Sequence, residues 1–299
     1  MKENYKALVN QLSLKNYMSE LDENDLKKLK SVMLNATVEI SKICKKNNIN
    51  VFLVGGSALG AVRHHGFIPW DDDLDISMTR SDFEKFKLIF ENELGDKYIL
   101  TAPNYSKNPL TRFPKILIKN TKMETIDLIG DDRAMVFIDI FILENMPKNS
   151  FIRKIRGTLV SIVMGISSYV YTYKHQNELY NKFMTKNKKI KKIFKKRIFV
   201  GRIFSIIKLK HWFDWVDKLC QYKKNTGIVG IPSGRKHYFG EIFSKDVFFP
   251  LVETDFEGFK LSIPNNYDLY LRNLYGDYMQ IPPIDKREKH YICSIKFDL

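Results

Sequence analysis

The chain has 299 residues, 44% hydrophobic and 28% charged, a globular balance that argues against disorder. Its 49 basic and 34 acidic residues leave a net charge of +15, which favours anionic partners (nucleotides, nucleic acid, acidic lipid, anionic glycan) without choosing among them. Cys44, Cys220 and Cys293 have no neighbour at CxxC spacing, which argues against a zinc knot or disulfide framework and fits a reducing, cytoplasmic compartment. No apolar h-region stands at the N-terminus, so a secretory signal is not expected.

Residues 24–46 place Leu26, Leu29, Met33, Ala36, Ile40 and Ile43 on one helical face with lysines opposite, and Asn47 and Asn48 read as the stop. Val51–Val54 reads as a short buried strand, Gly55 and Gly56 as a turn, and the run from Ser57 as a helix ended by Gly66. Asp71–Met78 is expected to be a strand, followed by a Ser81-x-x-Glu84 capping box and a helix carrying Phe83, Phe86 and Phe90. Residues 98–100, 115–118 and 135–141 are further strand candidates, the last almost wholly apolar around one carboxylate, Asp139. Residues 157–173 carry no charge but are short and polar-spotted for a membrane span, so a core or interfacial helix is expected. The basic block at 186–204 interleaves Ile190, Ile193, Phe194, Ile198 and Phe199 with lysines; a bilayer-surface helix and a solvated helix face both fit it.

Chemistry concentrates in two places. Glycines at 55–56 allow close backbone approach, and the helix that follows offers free N–H groups to phosphate. Asp71-x-Asp73-x-Asp75, read along a strand, sends three carboxylates to one face, with Leu74 and Ile76 to the other. Crowded carboxylates repel unless a cation neutralises them, and carboxylate oxygen suits magnesium or manganese. Asp139, inside an apolar strand, needs a partner: a metal shared with Asp73 and Asp75, or a buried salt bridge to Arg or Lys.

The run GGSALGAVRHHGFIPWDDDLDI at 55–76 resembles the signature of the LicD family, within the nucleotidyltransferase superfamily. FIDIF at 137–141 resembles that family's third-carboxylate strand, and FEGFKLSIP at 256–264 and YLRNLYGDYMQIPP at 270–283 resemble its later motifs; residues 150–225 are not covered. The family includes bacterial phosphocholine transferases and resembles fukutin and fukutin-related protein. The resemblance implies an α+β fold: a nucleotidyltransferase-like core of mixed β-sheet flanked by helices, with an inserted basic helical region and a C-terminal extension. The expected division is 1–48 helical, 49–147 catalytic core, 148–225 basic helical insertion, and 226–299 the rest of the LicD-like domain.

By the same resemblance the activity is metal-dependent transfer of a phospho-alcohol, phosphocholine above all, from a CDP-activated donor such as CDP-choline to a hydroxyl of a cell-surface glycan (lipopolysaccharide, capsule or teichoic acid type). Asp71, Asp73, Asp75 and Asp139 are the candidate catalytic residues. Asp73, Asp75 and Asp139 are the candidate ligands of Mg2+ or Mn2+. Gly55, Gly56, Ser57, Arg63 and Lys115 are the candidate donor-phosphate contacts. Trp70 is a candidate for stacking on a base or quaternary amine, or a brace for the acidic loop. Tyr275, Asp277 and Tyr278 either shape the pocket or mark a helix end stopped by Gly276. The expected partners are the donor, a glycan acceptor (free or lipid-linked) and the inner face of the membrane through peripheral contact; nucleic acid is not expected. Two other functions fit the residues: nucleotide transfer to RNA or a small molecule, and a non-catalytic membrane-surface adaptor.

Overall fold

The computed structural model describes residues 21–185, 187–284, 287 and 292–298. The first 20 residues of the expected N-terminal segment lie outside that range. The architecture is α+β, as expected.

Helix α1 (Glu23–Lys46) is capped by Asp22, whose carboxylate accepts the Asp25 N–H, and it stops at Asn47, with Asn48 in the left-handed region. The first two strands follow, β1 (Phe52–Leu53) and β2 (Asp75–Thr79), separated by α2 (Gly55–His64). Then come α3 (Arg80–Leu94), β3 (Tyr98–Thr101), β4 (Lys115–Ile118), β5 (Thr121–Thr125) and β6 (Phe137–Asn145). The expected Ser81 cap is instead Thr79: β2 runs up to that residue, its hydroxyl accepts the Asp82 N–H, and Arg80 is already helical. Phe83, Phe86 and Phe90 are all buried as their spacing predicts, each contributing roughly 2–3 kcal/mol of apolar burial.

The main sheet runs β1-β2-β6-β4-β3. Strands β2 and β6 are its parallel pair, with Asp75 opposite Asp139, while β4 runs antiparallel to β6 with Lys115 opposite Asp139. Cross-strand partners share a sheet face, so Asp75, Asp139 and Lys115 form one row. Strand residues of the other parity (Ile76, Met78, Ile138, Ile140, Ile116, Ile118) are buried in the main core.

Four helices fill the region between 150 and 220: α4 (Ser150–Lys174), α5 (Glu178–Met184), α6 (Lys188–Phe204) and α7 (Leu209–Cys220). α4 and α6 pack together, with Gly201 against the Tyr169 carbonyl, where a Cβ would come within 2.2 Å. A buried ion-pair group ties α7 to the sheet: Arg80 binds both Glu144 at the end of β6 and Asp217 on α7. Beyond it, β7 (Ile228–Gly230) pairs with β6 and with β8 (Ile242–Ser244), after the short α8 (His237–Gly240). The hairpin β9 (Val252–Phe256) and β10 (Phe259–Ile263), then α9 (Tyr267–Tyr275) and β11 (Ile292–Phe297) on β5, complete the chain. Phe248, Phe256, Tyr270 and Leu271 share one core with residues of α1 and the sheet, so the C-terminal elements pack on the same core as the strands.

Among the described residues no helix is long and apolar enough to cross a membrane. Cys44, Cys220 and Cys293 are all free thiols.

Candidate active site

The acidic run is not a strand throughout. Residues 71–74 form a loop and the strand begins at Asp75, so the alternation argument for Asp71 and Asp73 is corrected. Pairing with β6 begins at Asp75, which leaves the preceding residues outside the ladder. The carboxylates converge by a different route: ligand oxygens of Asp71, Asp72 and Asp73 lie within 4.8 Å of one another. Asp72, which the sequence reading omits, is buried and belongs to this group.

Asp75 links the loop to the sheet. Burial holds its carboxyl well above the usual carboxylate range, and the charges of Asp73, Asp139 and Asp71 push it further, with Lys115 opposing them. The same row holds Asp139, which is buried and paired with the Lys115 ammonium. Lys115 also sits 3.4 Å from the Phe137 ring centroid and 5.3 Å from that of Phe113. The salt bridge expected for Asp139 is made by Lys115. Lys115, expected at a donor phosphate, here neutralises one acid of the cluster.

The glycine turn abuts the acids. Gly55 has φ of 55° and opens α2 directly; a Cβ on it would stand 2.8 Å from Asp75 Oδ2, and one on Gly56 would stand 2.9 Å from Asp71 Oδ2. Larger residues would fill the space beside the carboxylates. The Gly55 N–H donates to the Tyr270 hydroxyl at 3.1 Å, and the Ser57 hydroxyl accepts the Asp75 N–H at 2.8 Å. Gly55 and Ser57 therefore fix the turn against α9 and the start of β2.

Arg63 lies about two turns along α2. It donates to the Tyr278 carbonyl at 2.6 Å and to His64 Nε2 at 2.9 Å, and it lies within the electrostatic reach of Tyr275 and Asp71. Burial lowers its pKa, as it does that of Lys30, whose ammonium caps the Ile68 and Pro69 carbonyls and faces Asp71, Glu257 and Asp72. Trp70 is half-buried, edge-on to His64, with the Arg287 guanidinium 4.0 Å from its ring centroid. Gly276, at φ 71°, does stop α9, and Tyr275 just before it faces the acids: burial raises its pKa, and Asp75, Asp71 and Asp73 raise it further.

Tyr270 has no signal in the sequence as a site residue. Tyr270 reaches Gly55 across 215 positions, and no local spacing signals such a contact. Aromatic residues at 270 and 275 in a short amphipathic helix, with Tyr278 just past its end, are the available hint.

The donor set fits a hard divalent cation. Four aspartates of residues 71–75 and Asp139 supply oxygen only, and the Lys115 ammonium opposes the acidic charges at Asp75.

Residues 48–155 match a family model described as LicD/FKTN/FKRP, nucleotidyltransferase domain. The chain is 28% identical over 289 residues to lipopolysaccharide cholinephosphotransferase LicD of Haemophilus influenzae, covering 89% of this chain and 96% of that protein. Shorter matches join it to uncharacterised proteins of Rickettsia typhi, 48% identical over 48 residues (16% of each chain), and of Rickettsia prowazekii, 51% identical over 41 residues (14% of this chain and 15% of that one). The acids, the glycine turn and the β2–β6 pair all lie inside the span that matches the LicD/FKTN/FKRP nucleotidyltransferase domain model.

Proposed function

We propose that this protein transfers a phospho-alcohol, phosphocholine first among them, from a CDP-activated donor to a hydroxyl of a cell-surface glycan. The carrying observation is the register of Asp75 with Asp139, beside the Asp71–Asp73 loop and the Gly55 turn. The likeness to a lipopolysaccharide cholinephosphotransferase over most of both chains supports the substrate class.

Asp73, Asp75 and Asp139 would hold Mg2+ or Mn2+, with Asp71 and Asp72 beside them. Bound there, the ion supplies neutralisation of charge on the donor pyrophosphate. The rest falls to the chain itself. Asp139 accepts the proton of the acceptor hydroxyl, and Lys115 fixes the orientation of that carboxylate. The acceptor oxygen attacks the phosphorus bearing the alcohol, the bond to the bridging oxygen breaks, and cytidine monophosphate leaves. Gly55 and Gly56 leave room for the donor against the acids, and Arg63 meets a phosphate oxygen.

The protein works at the inner face of the membrane in this reading. On α4 the residues Phe151, Ile155, Leu159 and Ile162 are exposed at helical spacing; on α6 and just past it Lys192, Lys195, Phe199, Ile203 and Ile206 are exposed, lysines first and apolar residues last. Flotation with phosphatidylglycerol-containing vesicles, but not with neutral ones, is the expected behaviour.

The deciding test is incubation of purified protein with Mg2+ and a panel of CDP-alcohols. Release of cytidine monophosphate, with the acceptor gaining the mass of a phospho-alcohol, supports the reading. An acceptor gaining the mass of cytidine monophosphate makes the enzyme a nucleotidyltransferase instead.

A further inference from the structure

The loop after β7 brings a second arginine to the acid cluster from the far end of the chain. The guanidinium carbon of Arg235 lies 5.1 Å from the Tyr275 ring centroid, and Arg235 is exposed. The charges of Asp75, Asp71 and Asp73 act on Tyr275, and the Arg63 guanidinium donates to the Tyr278 carbonyl at 2.6 Å, three residues beyond that ring. Two guanidiniums, from α2 and from the 231–236 loop, thus meet the 275–278 segment, which lies within electrostatic reach of three carboxylates.

That loop is held in place. Buried Glu241 accepts the Lys236 N–H at 2.8 Å, Ile231 N–H donates to the Glu241 carbonyl at 3.1 Å, and Gly234 N–H donates to the Ile231 carbonyl at 3.0 Å. Gly234 is packed so closely on the Glu241 carboxylate that a Cβ would stand 2.5 Å from Oε1. The Lys236 ammonium caps the Asn273 carbonyl on α9, the helix that carries Tyr275. Arg235 therefore sits on a short loop fixed on both sides, one of them by the helix that presents Tyr275.

We propose that Arg235 and Arg63 form a two-armed clamp across Tyr275 for the pyrophosphate of a nucleoside-diphosphate donor, with Glu241 as the positioning residue for the Arg235 loop. A planar guanidinium matches a phosphate with paired N–H donors, and two such forks beside a carboxylate cluster suit an anion that arrives with a divalent cation. The clamp rests on the proposed transfer reaction only for the identity of its anion as the donor's pyrophosphate.

The test is calorimetric titration of the full chain with inorganic pyrophosphate and Mg2+, with circular dichroism to verify that each variant is folded. Arg235→Ala is expected to weaken binding about 10- to 100-fold, the effect of losing a charge-assisted contact. Arg235→Lys should recover only part of it, since the charge returns without the fork. Glu241→Gln, which keeps an oxygen for the Lys236 N–H, should bind nearly as wild type, whereas Glu241→Ala should weaken binding as Arg235→Ala does. Wild-type affinity in Arg235→Ala, or no pyrophosphate binding by the wild type, overturns the clamp. Arg235-dependent binding without cytidine monophosphate release from any CDP-alcohol would keep the clamp and reject the transfer reaction.

Discussion

Asp75→Asn should make the metal-free protein more stable while removing its response to metal. The perturbation is nearly isosteric, and the backbone N–H that donates to Ser57 is untouched. The neighbouring carboxylates set the scale: like unit charges about 5 Å apart repel by about 3 kcal/mol at an effective dielectric of ~20. Asp75→Asn removes the cost of burying an ionisable carboxyl beside Asp73, Asp139 and Asp71, on the order of 1–3 kcal/mol, or about 2–4 °C of melting temperature per kcal/mol. The pH dependence has a definite sign. Because Asp75 holds its proton more firmly folded than unfolded, wild-type stability falls as pH rises from the ordinary carboxylate range to the raised folded value, and the Asn variant lacks this fall. Thermal melts at several pH values, with and without Mg2+, measure both effects. At a ligand excess of about 100 Kd, Mg2+ should add about 2.7 kcal/mol to the wild type and much less to the variant. A variant that melts lower than wild type at neutral pH, or that gains as much from Mg2+, refutes the reasoning.

Three other substitutions probe the frame of the site. Arg80→Met leaves Glu144 and Asp217 buried without their shared cation and should cost about 3–5 kcal/mol in urea unfolding. Gly60→Ala places a Cβ 2.4 Å from the Gly66 carbonyl oxygen and should cost about 1–3 kcal/mol, read as a lower urea midpoint with an unchanged slope. Lys115→Met strips buried Asp139 of its partner and should cost about 3–5 kcal/mol in urea unfolding.

The legible part of the site was its local chemistry. Gly55, Asp75 and Asp139 each announce themselves: a glycine pair after a strand, an acidic run entering an apolar strand, a lone acid among Phe137, Ile138, Ile140 and Phe141. Their meeting depends on parallel pairing across a 57-residue crossover between β2 and β6, and the family resemblance supplied what periodicity does not. The alternation rule failed at Asp71–Leu74 because it presumes a strand that begins only where β6 offers a ladder. It thereby passed over Asp72. Lys115 is expected at a donor phosphate, whereas its pairing with Asp139 is fixed by β4–β6 register. Tyr270 and Arg235 reach the site through the packing of the last third of the chain onto the first, and short-range spacing carries no trace of it.

The central claim is that Asp75 and Asp139, with the Asp71–Asp73 loop, gather to bind a divalent cation. Titration of Mn2+ followed by electron paramagnetic resonance of the free ion tests it without any substrate. The account predicts stoichiometric uptake by the wild type and its loss in the Asp75→Asn, Asp139→Asn double variant while the fold persists. Undiminished Mn2+ uptake by that folded double variant would contradict it.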